Sequence, residues 1–163
     1  MNRRQTSKAI EVRPLTRAAS RAYGLIIDAS CVDDRGRGNS FGILLKERSS
    51  GWRIGYLIVR EKRITRLERH RDSLETFEPV KGRVVIALAP DKYPDKAKLF
   101  LLDRPFVVKK GVWHDVAGLS GRAEVKIFEN IEVETDYHEL DREIYTGWKK
   151  DRHRIRRYPA AHS

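Results

Sequence analysis

Trp52-Arg53-Ile54-Gly55-Tyr56-Leu57-Ile58 decides the fold class. Its bulky apolar residues, Trp52, Ile54, Tyr56 and Ile58, occupy every second position, the period of a β-strand with two unlike faces. The same pattern repeats outward from it. Toward the N-terminus, Phe41 to Lys46 is apolar and bounded by glycine and charge, Leu25-Ile26-Ile27 is extended, and Ile10 to Leu15 holds a short strand that stops at Pro14. Toward the C-terminus come Ile64 to His70, Leu74 to Glu78 ended by Pro79, and Arg83 to Ala89 with its run Val84-Val85-Ile86-Ala87-Leu88. Phe106-Val107-Val108 and Ala123 to Phe128 complete the set. Turn residues separate these runs at the roughly 8–12-residue spacing of all-β sandwiches and barrels.

Helical signals are few. Thr16 is an N-cap for a short helix through Tyr23, which Gly24 stops. Asp95 to Leu102 reads as one helical turn or an extended piece, and Asp141 to Trp148 reads as helix. The expected organisation is a disordered basic arm over 1–9, a barrel over 10–140 and a basic helix and tail over 141–163.

At 163 residues the chain is long enough for one domain with a real core. Its net charge of +11 favours anionic partners: carboxylates, phosphates, nucleic acid or acidic surfaces. Cys31 has no partner for an intrachain disulfide, which suits a reducing compartment. No apolar run of signal length follows Met1, and none approaches the roughly 20 residues of a membrane span. The expectation is a cytoplasmic protein with no membrane partner. Lys149 to Arg157 is a basic run, but only Trp148 and Tyr158 interleave it with aromatics, too few for a nucleic-acid stacking platform.

Two fragments carry chemistry. In Glu68-Arg69-His70, residues two apart share a strand face, so Glu68 and His70 point one way and Arg69 the other. Glu75 follows a turn at Asp72-Ser73 and can return to the same place from the next strand; Gly82 allows the following tight turn. Gly111-Val112-Trp113-His114 is the second fragment, with Trp113 in the barrel wall or pocket floor and His114 at the same mouth as His70. Two imidazoles and two carboxylates form a borderline-hard ligand set, suited to a divalent metal or to general acid–base work without one. The competing reading is a surface ion-pair ladder of Glu68, Arg69, His70 and Arg71.

The spacing of these fragments resembles the two motifs of the cupin superfamily. His70, Glu75 and Gly82 are in register with the first motif, with Glu68 at its leading position, and Gly111 and His114 match the Gly-x-x-His of the second. Within that superfamily the chain is similar to the ureidoglycolate lyase family, allantoin-catabolism enzymes of purine metabolism once called ureidoglycolate hydrolases. The similarity runs through Pro14-Leu15-Thr16 to Gly24, Glu68-Arg69-His70 to Pro79, Val84 to Asp95, and Gly111-Val112-Trp113-His114. Glu75 stands where that family usually has Gln, Asp115-Val116 where Ala-Pro or His-Pro follows the signature, and Val108-Lys109-Lys110 where it has Asn-Tyr-His.

The resemblance implies an all-β, cupin-like double-stranded β-helix (a jelly-roll barrel) that pairs edge to edge as a homodimer. It implies a carbon–nitrogen lyase that splits ureidoglycolate into glyoxylate and urea. Glu68, His70, Glu75 and His114 are then the catalytic candidates, with Glu68 or His114 as base. His70, Glu75 and His114 would hold a divalent ion (Zn, Mn, Fe or Ni). Arg69, Arg104 and Lys110 are candidates for the substrate carboxylate, and Trp113 for the pocket. The alternatives are a metal-binding cupin that binds or converts another small organic acid or sugar, and a basic nucleic-acid-binding protein.

Overall fold

The computed structural model describes residues 10–34, 36 and 38–147. The expected basic arm over 1–9 and the basic run from Lys149 onward lie outside them. The described strands are β1 (Val12–Pro14), β2 (Gly24–Ile26), β3 (Trp52–Val59), β4 (Arg63–Arg69), β5 (Glu75–Lys81), β6 (Val84–Ala89), β7 (Lys98–Leu102), β8 (Phe106–Val108), β9 (Trp113–Gly118), β10 (Ala123–Asn130) and β11 (Asp136–Tyr145).

They form two sheets, ordered β1-β7-β6-β9-β4-β11 and β2-β8-β5-β10-β3. From β3 to β6 successive strands alternate between the sheets. β7 returns beside β6 as a hairpin, and alternation resumes from β8 to β10. Without β1, β2 and β11, each sheet keeps four strands, β7-β6-β9-β4 and β8-β5-β10-β3. That order is two interlocked Greek keys, the jelly roll. The expected double-stranded β-helix is therefore present in the connectivity itself.

The core sits between the sheets, where Val84, Ile86 and Leu88 of β6 meet Phe77, Phe100, Phe106, Val108 and Val125. The other face of β6 is buried too: Val85, Ala87 and Ala89 pack with Leu67, Leu99, Trp113 and Ala117 beneath Leu140 and Ile144 of β11. Burial on both faces explains why β6 reads as an unbroken apolar run rather than an alternation. Each large aliphatic or aromatic side chain taken from water here contributes roughly 1.5–3 kcal/mol.

β3 shows the reverse arrangement. Its apolar alternation faces outward, with Trp52 67% and Ile54 54% exposed, while Leu57 and Val59 point inward beside Arg53 and Gly55. Phe41 to Lys46, expected as a strand, joins neither sheet, and Phe41 is largely exposed. Strand propensity without a neighbouring edge leaves a segment unpaired. β5 runs through Pro79, because β8 ends opposite Phe77 and a register shift on β10 adjoins Val125, so the missing N–H interrupts no ladder.

Two helical expectations change. The N-terminal helix is a single turn, Arg17–Ser20, capped by Thr16 Oγ1 accepting from Ala19 N at 3.2 Å. The helix expected over 141–148 is overturned: residues through Tyr145 belong to β11, and Trp148 lies outside the described residues. β11 bonds to the edge of β4 and buries Ile144, a tertiary gain that outweighs a weak local propensity. Asp95 to Leu102 divides into a 3-10 turn over Pro94–Lys96 and then β7. Among the described residues, no helix is long and apolar enough to cross a membrane.

Candidate metal centre

β4 and β9 are neighbours, with Glu68 directly opposite His114. His70 follows the last residue of β4, and the chain then crosses to the other sheet, where Glu75 opens β5. Gly111 at φ +78° makes the turn before β9, and its N–H donates to the His70 carbonyl at 2.8 Å. These four side chains, three from the stretch 68–75 and the fourth from position 114, therefore converge inside one end of the sandwich. One ligand atom from each of Glu68, His70, Glu75 and His114 lies within 4.8 Å of the others.

Glu75 Oε2 stands at the middle, 3.1 Å from His70 Nε2 and 2.6 Å from His114 Nε2. The imidazole rings lie 5.2 Å apart between centroids. Glu75, His70 and His114 are buried, whereas Glu68 is one-third exposed at the opening, 4.0 Å from His114 Nε2.

The far nitrogens decide what the centre can hold. His114 Nδ1 faces the Val112 carbonyl at 2.9 Å; His70 Nδ1 faces the Glu134 carbonyl at 3.3 Å and Thr135 Oγ1 at 3.2 Å. A carbonyl only accepts, so each Nδ1 carries a proton and each neutral ring turns a lone pair toward Glu75. Two lone pairs and a carboxylate aimed at one point repel unless a cation joins them. Protons on both rings can serve, and so can a metal ion. Ligands bound at 2.0–2.2 Å to a common ion stand roughly 3–4 Å from one another, which these atoms nearly do already. Imidazole held by a backbone carbonyl is also the usual outer support of a metal ligand. The residues present fit a divalent ion of the Zn, Mn, Fe or Ni kind.

The acid–base state agrees. Burial would raise Glu75, but hydrogen bonds and charge from His114 and His70 outweigh it and bring the carboxyl down to about 2. Burial opposes charge on His70 and His114, yet the bonds to Glu75 lift both above their ordinary value. Glu68 is raised, chiefly by burial. Asp115 is pushed by burial to about 6, but it lies on the opposite face of β9 from His114.

A pH dependence follows for metal-free protein. The lowered Glu75 adds stability above its unfolded value near 4.5, which is lost as pH falls toward 2. The raised histidines add stability that is fully present below 6.5 and is lost as pH rises through their folded values. Urea midpoints after chelation are therefore expected to peak between about pH 4.5 and 6.5, and a divalent ion to remove the alkaline loss. A metal-free midpoint that stays flat to about pH 9 would contradict this assignment.

The structure does not bring the other four candidates to the cluster. Trp113 points to the far face of its sheet, where its Nε1 donates to the Asp91 carbonyl at 2.9 Å. Arg69 lies over that indole and pairs with Asp91 and Asp136; Arg71 pairs with Asp136 as well. The ion pairs of this stretch thus run to β11 and its neighbours, not along a ladder of Glu68 and His70. Arg104 lies beyond the opposite end of β8 from Val108, Glu75's partner, and is held by Asp103 and Asp28. Lys110, in the turn before Gly111, is held by Glu47 at 2.8 Å.

Two residues were missed. Glu129 sits opposite Glu75 on the inner face and accepts from Arg53 Nε at 2.9 Å, while Tyr137 on β11 lies opposite Glu68. The period-two pattern Val125, Ile127, Glu129 was available for the first of these. Tyr137 was hidden by ending the barrel's strands before β11.

No protein-family model matches the chain, and no curated protein matches it. Among solved structures it is similar to a sugar 3,4-ketoisomerase from Thermoanaerobacterium thermosaccharolyticum in complex with TDP, at 20% identity and TM-score 0.42 over 50% of this chain and 61% of that one. It is similar to a cupin 2 domain-containing protein from Halorhodospira halophila, at 17% identity and TM-score 0.41 over 58% and 62%. A dTDP sugar isomerase from Desulfovibrio desulfuricans G20 follows at 17% identity and TM-score 0.38 over 70% and 77%. The chain spans about three fifths of the length of the first two. Likenesses this faint carry no weight of their own: the fold rests on the strand order, and the centre on its own atoms.

Proposed function

We propose that the chain is a metal-dependent enzyme working by acid–base chemistry on a small oxygen-rich anion. Ureidoglycolate cleavage is its specific reaction in the reading that the sequence resemblance supports. The observation that carries the proposal is the convergence of two carbonyl-anchored imidazoles and one carboxylate on a single point, with a second carboxyl, Glu68, at the opening.

Held by His70, Glu75 and His114, a divalent ion would supply positive charge to the substrate's hydroxyl and carboxylate oxygens. Glu68 is the residue free to move a proton: it is half-buried, its carboxyl is raised, and no partner holds it tightly. In the cleavage it takes the hydroxyl proton as the C–O bond becomes C=O. The C–N bond breaks with its electrons on nitrogen, and Glu68 returns the proton to the departing urea. Glyoxylate and urea account for every atom. Urea release by metal-loaded protein tests the reaction. Glu68→Gln is expected to lower kcat by about 10²–10⁴-fold, the usual contribution of a general acid–base, with metal affinity retained. An unchanged kcat would remove Glu68 from this role.

One observation favours a second reading. Arg69 and Arg104 are paired away from the cluster, so neither can hold a carboxylate attached to the reacting carbon. A different small hydroxy acid or a sugar, bound or isomerised at the same centre, answers that arrangement. Metal binding without urea release would select it.

A further inference from the structure

Two arginines share the strand faces that carry the cluster, one in each sheet. Arg66 shares the face of Glu68 on β4, two residues away. Its guanidinium lies 4.5 Å over the ring of Tyr137, the residue opposite Glu68 on β11. No carboxylate pairs with Arg66 among the described residues. Arg53 occupies the same cross-strand row as Glu129 and Glu75, and so the same inner face. Its Nε bonds Glu129, whose side chain is only 12% exposed, while the arginine side chain is 52% exposed. The rest of its guanidinium fork therefore stays in solvent. Arg69, Arg71 and Lys110, which also lie at this end, are already matched by carboxylates, and Lys109 donates to the Arg21 carbonyl. A charge left half-matched beside a buried acid–base cluster is available to a ligand.

We infer that Arg53 and Arg66 form an anion subsite that grips a phosphate or carboxylate several bonds away from the oxygens meeting the metal centre. The inference rests on the metal-centre reading and selects its second substrate reading, a different hydroxy acid or a sugar, over ureidoglycolate. Strand geometry sets the separation. Arg66 is two residues along the strand from Glu68, roughly 7 Å, and Arg53 is two strands across from Glu75, roughly 10 Å. A two-carbon hydroxy acid cannot span that gap. A ligand with vicinal oxygens at one end and an anionic group at the other can.

Glycerate and 3-phosphoglycerate test this directly. They share the vicinal hydroxyl and carboxylate, and only the second carries a phosphate several bonds away. Calorimetric titration of metal-loaded protein at low ionic strength is expected to show 3-phosphoglycerate binding about tenfold more tightly or better, the scale of a charge-assisted hydrogen bond. Arg66→Gln and Arg53→Gln should each remove most of that gain and leave glycerate and metal affinity unchanged, with Arg66→Lys retaining part of it. Added salt should erode the gain. Equal affinity for the two probes, or equal weakening of both by either variant, overturns the subsite. Wild-type protein that takes up no divalent ion sinks the metal-centre reading instead, and the subsite with it. Both arginines are exposed residues, so loss of the fold does not confuse the result.

Discussion

Replacing His114 with alanine is expected to lower affinity for a divalent ion by at least 100-fold, the upper end of what removal of a mere outer-shell partner costs. His114 is 1% exposed, its Nε2 lies 2.6 Å from Glu75, and its Nδ1 is anchored on Val112. Outside the cluster itself no ligand-bearing side chain adjoins it, because Phe77 packs on its ring and the next polar group on β9, Asp115, faces the other way. The change also leaves Glu75 buried with one imidazole where it had two. Breaking a buried charged set from one side typically costs about 3–5 kcal/mol, so metal-free protein should lose stability as well. Glu75→Gln removes the charge but keeps the shape, and separates the two effects. It should weaken metal binding while leaving the cavity filled. Metal titration of both variants, with urea unfolding of each in chelator, reads affinity and stability independently. Native metal affinity in His114→Ala would show that the histidines are structural.

The second large effect is on the fold. Phe106→Ala is expected to destabilise the protein by about 3–5 kcal/mol, the sum of lost transfer energy and an unfilled cavity. For a chain of this size that is on the order of 10 °C in Tm. Phe106 is 0% exposed and sits opposite both Ile26 and Phe77, joining β2 and β5 through one side chain at the floor of the core. The space cannot close by a small shift, since it is bounded by paired strands on both sides. Phe41→Ala is the matched control: Phe41 is 87% exposed, and surface changes usually stay within about 0.5 kcal/mol. Urea midpoints measured with the m-value unchanged would compare the two. Equal effects at the two positions would mean that the core is not packed as described.

Much of the jelly roll was legible in the sequence because most of its strands carry their own signal. Val84 to Leu88 reads as a strand in isolation, and Trp52, Ile54, Tyr56 and Ile58 fall at every second position. The centre was legible for a similar reason: strand parity places Glu68 and His70 on one face, and the His70–Glu75 and Gly111–His114 spacings set the rest. What failed had a common cause. Asp141 to Tyr145 carries no local pattern stronger than weak helix propensity, and it becomes β11 because β4 offers an unpaired edge and Ile144 finds a buried place. Phe41 to Lys46 carries a strand pattern but pairs with neither sheet. Trp113 looked like a pocket residue from its place beside His114, and Arg69 was a candidate cation although its parity already turned it away from His70. Parity sends both to the far side, where each finds a partner at Asp91.

The amino-acid order alone determined the strand-rich architecture and the identity of the four converging groups, since period-two patterning and turn chemistry are local properties of the chain. Only the tertiary structure fixed how Glu75, from one sheet, sits between His70 and His114, from the other, and which cations stay near them. Such convergence depends on sheet pairing and on which carboxylate neutralises which arginine, and these are settled by contacts between residues tens of positions apart.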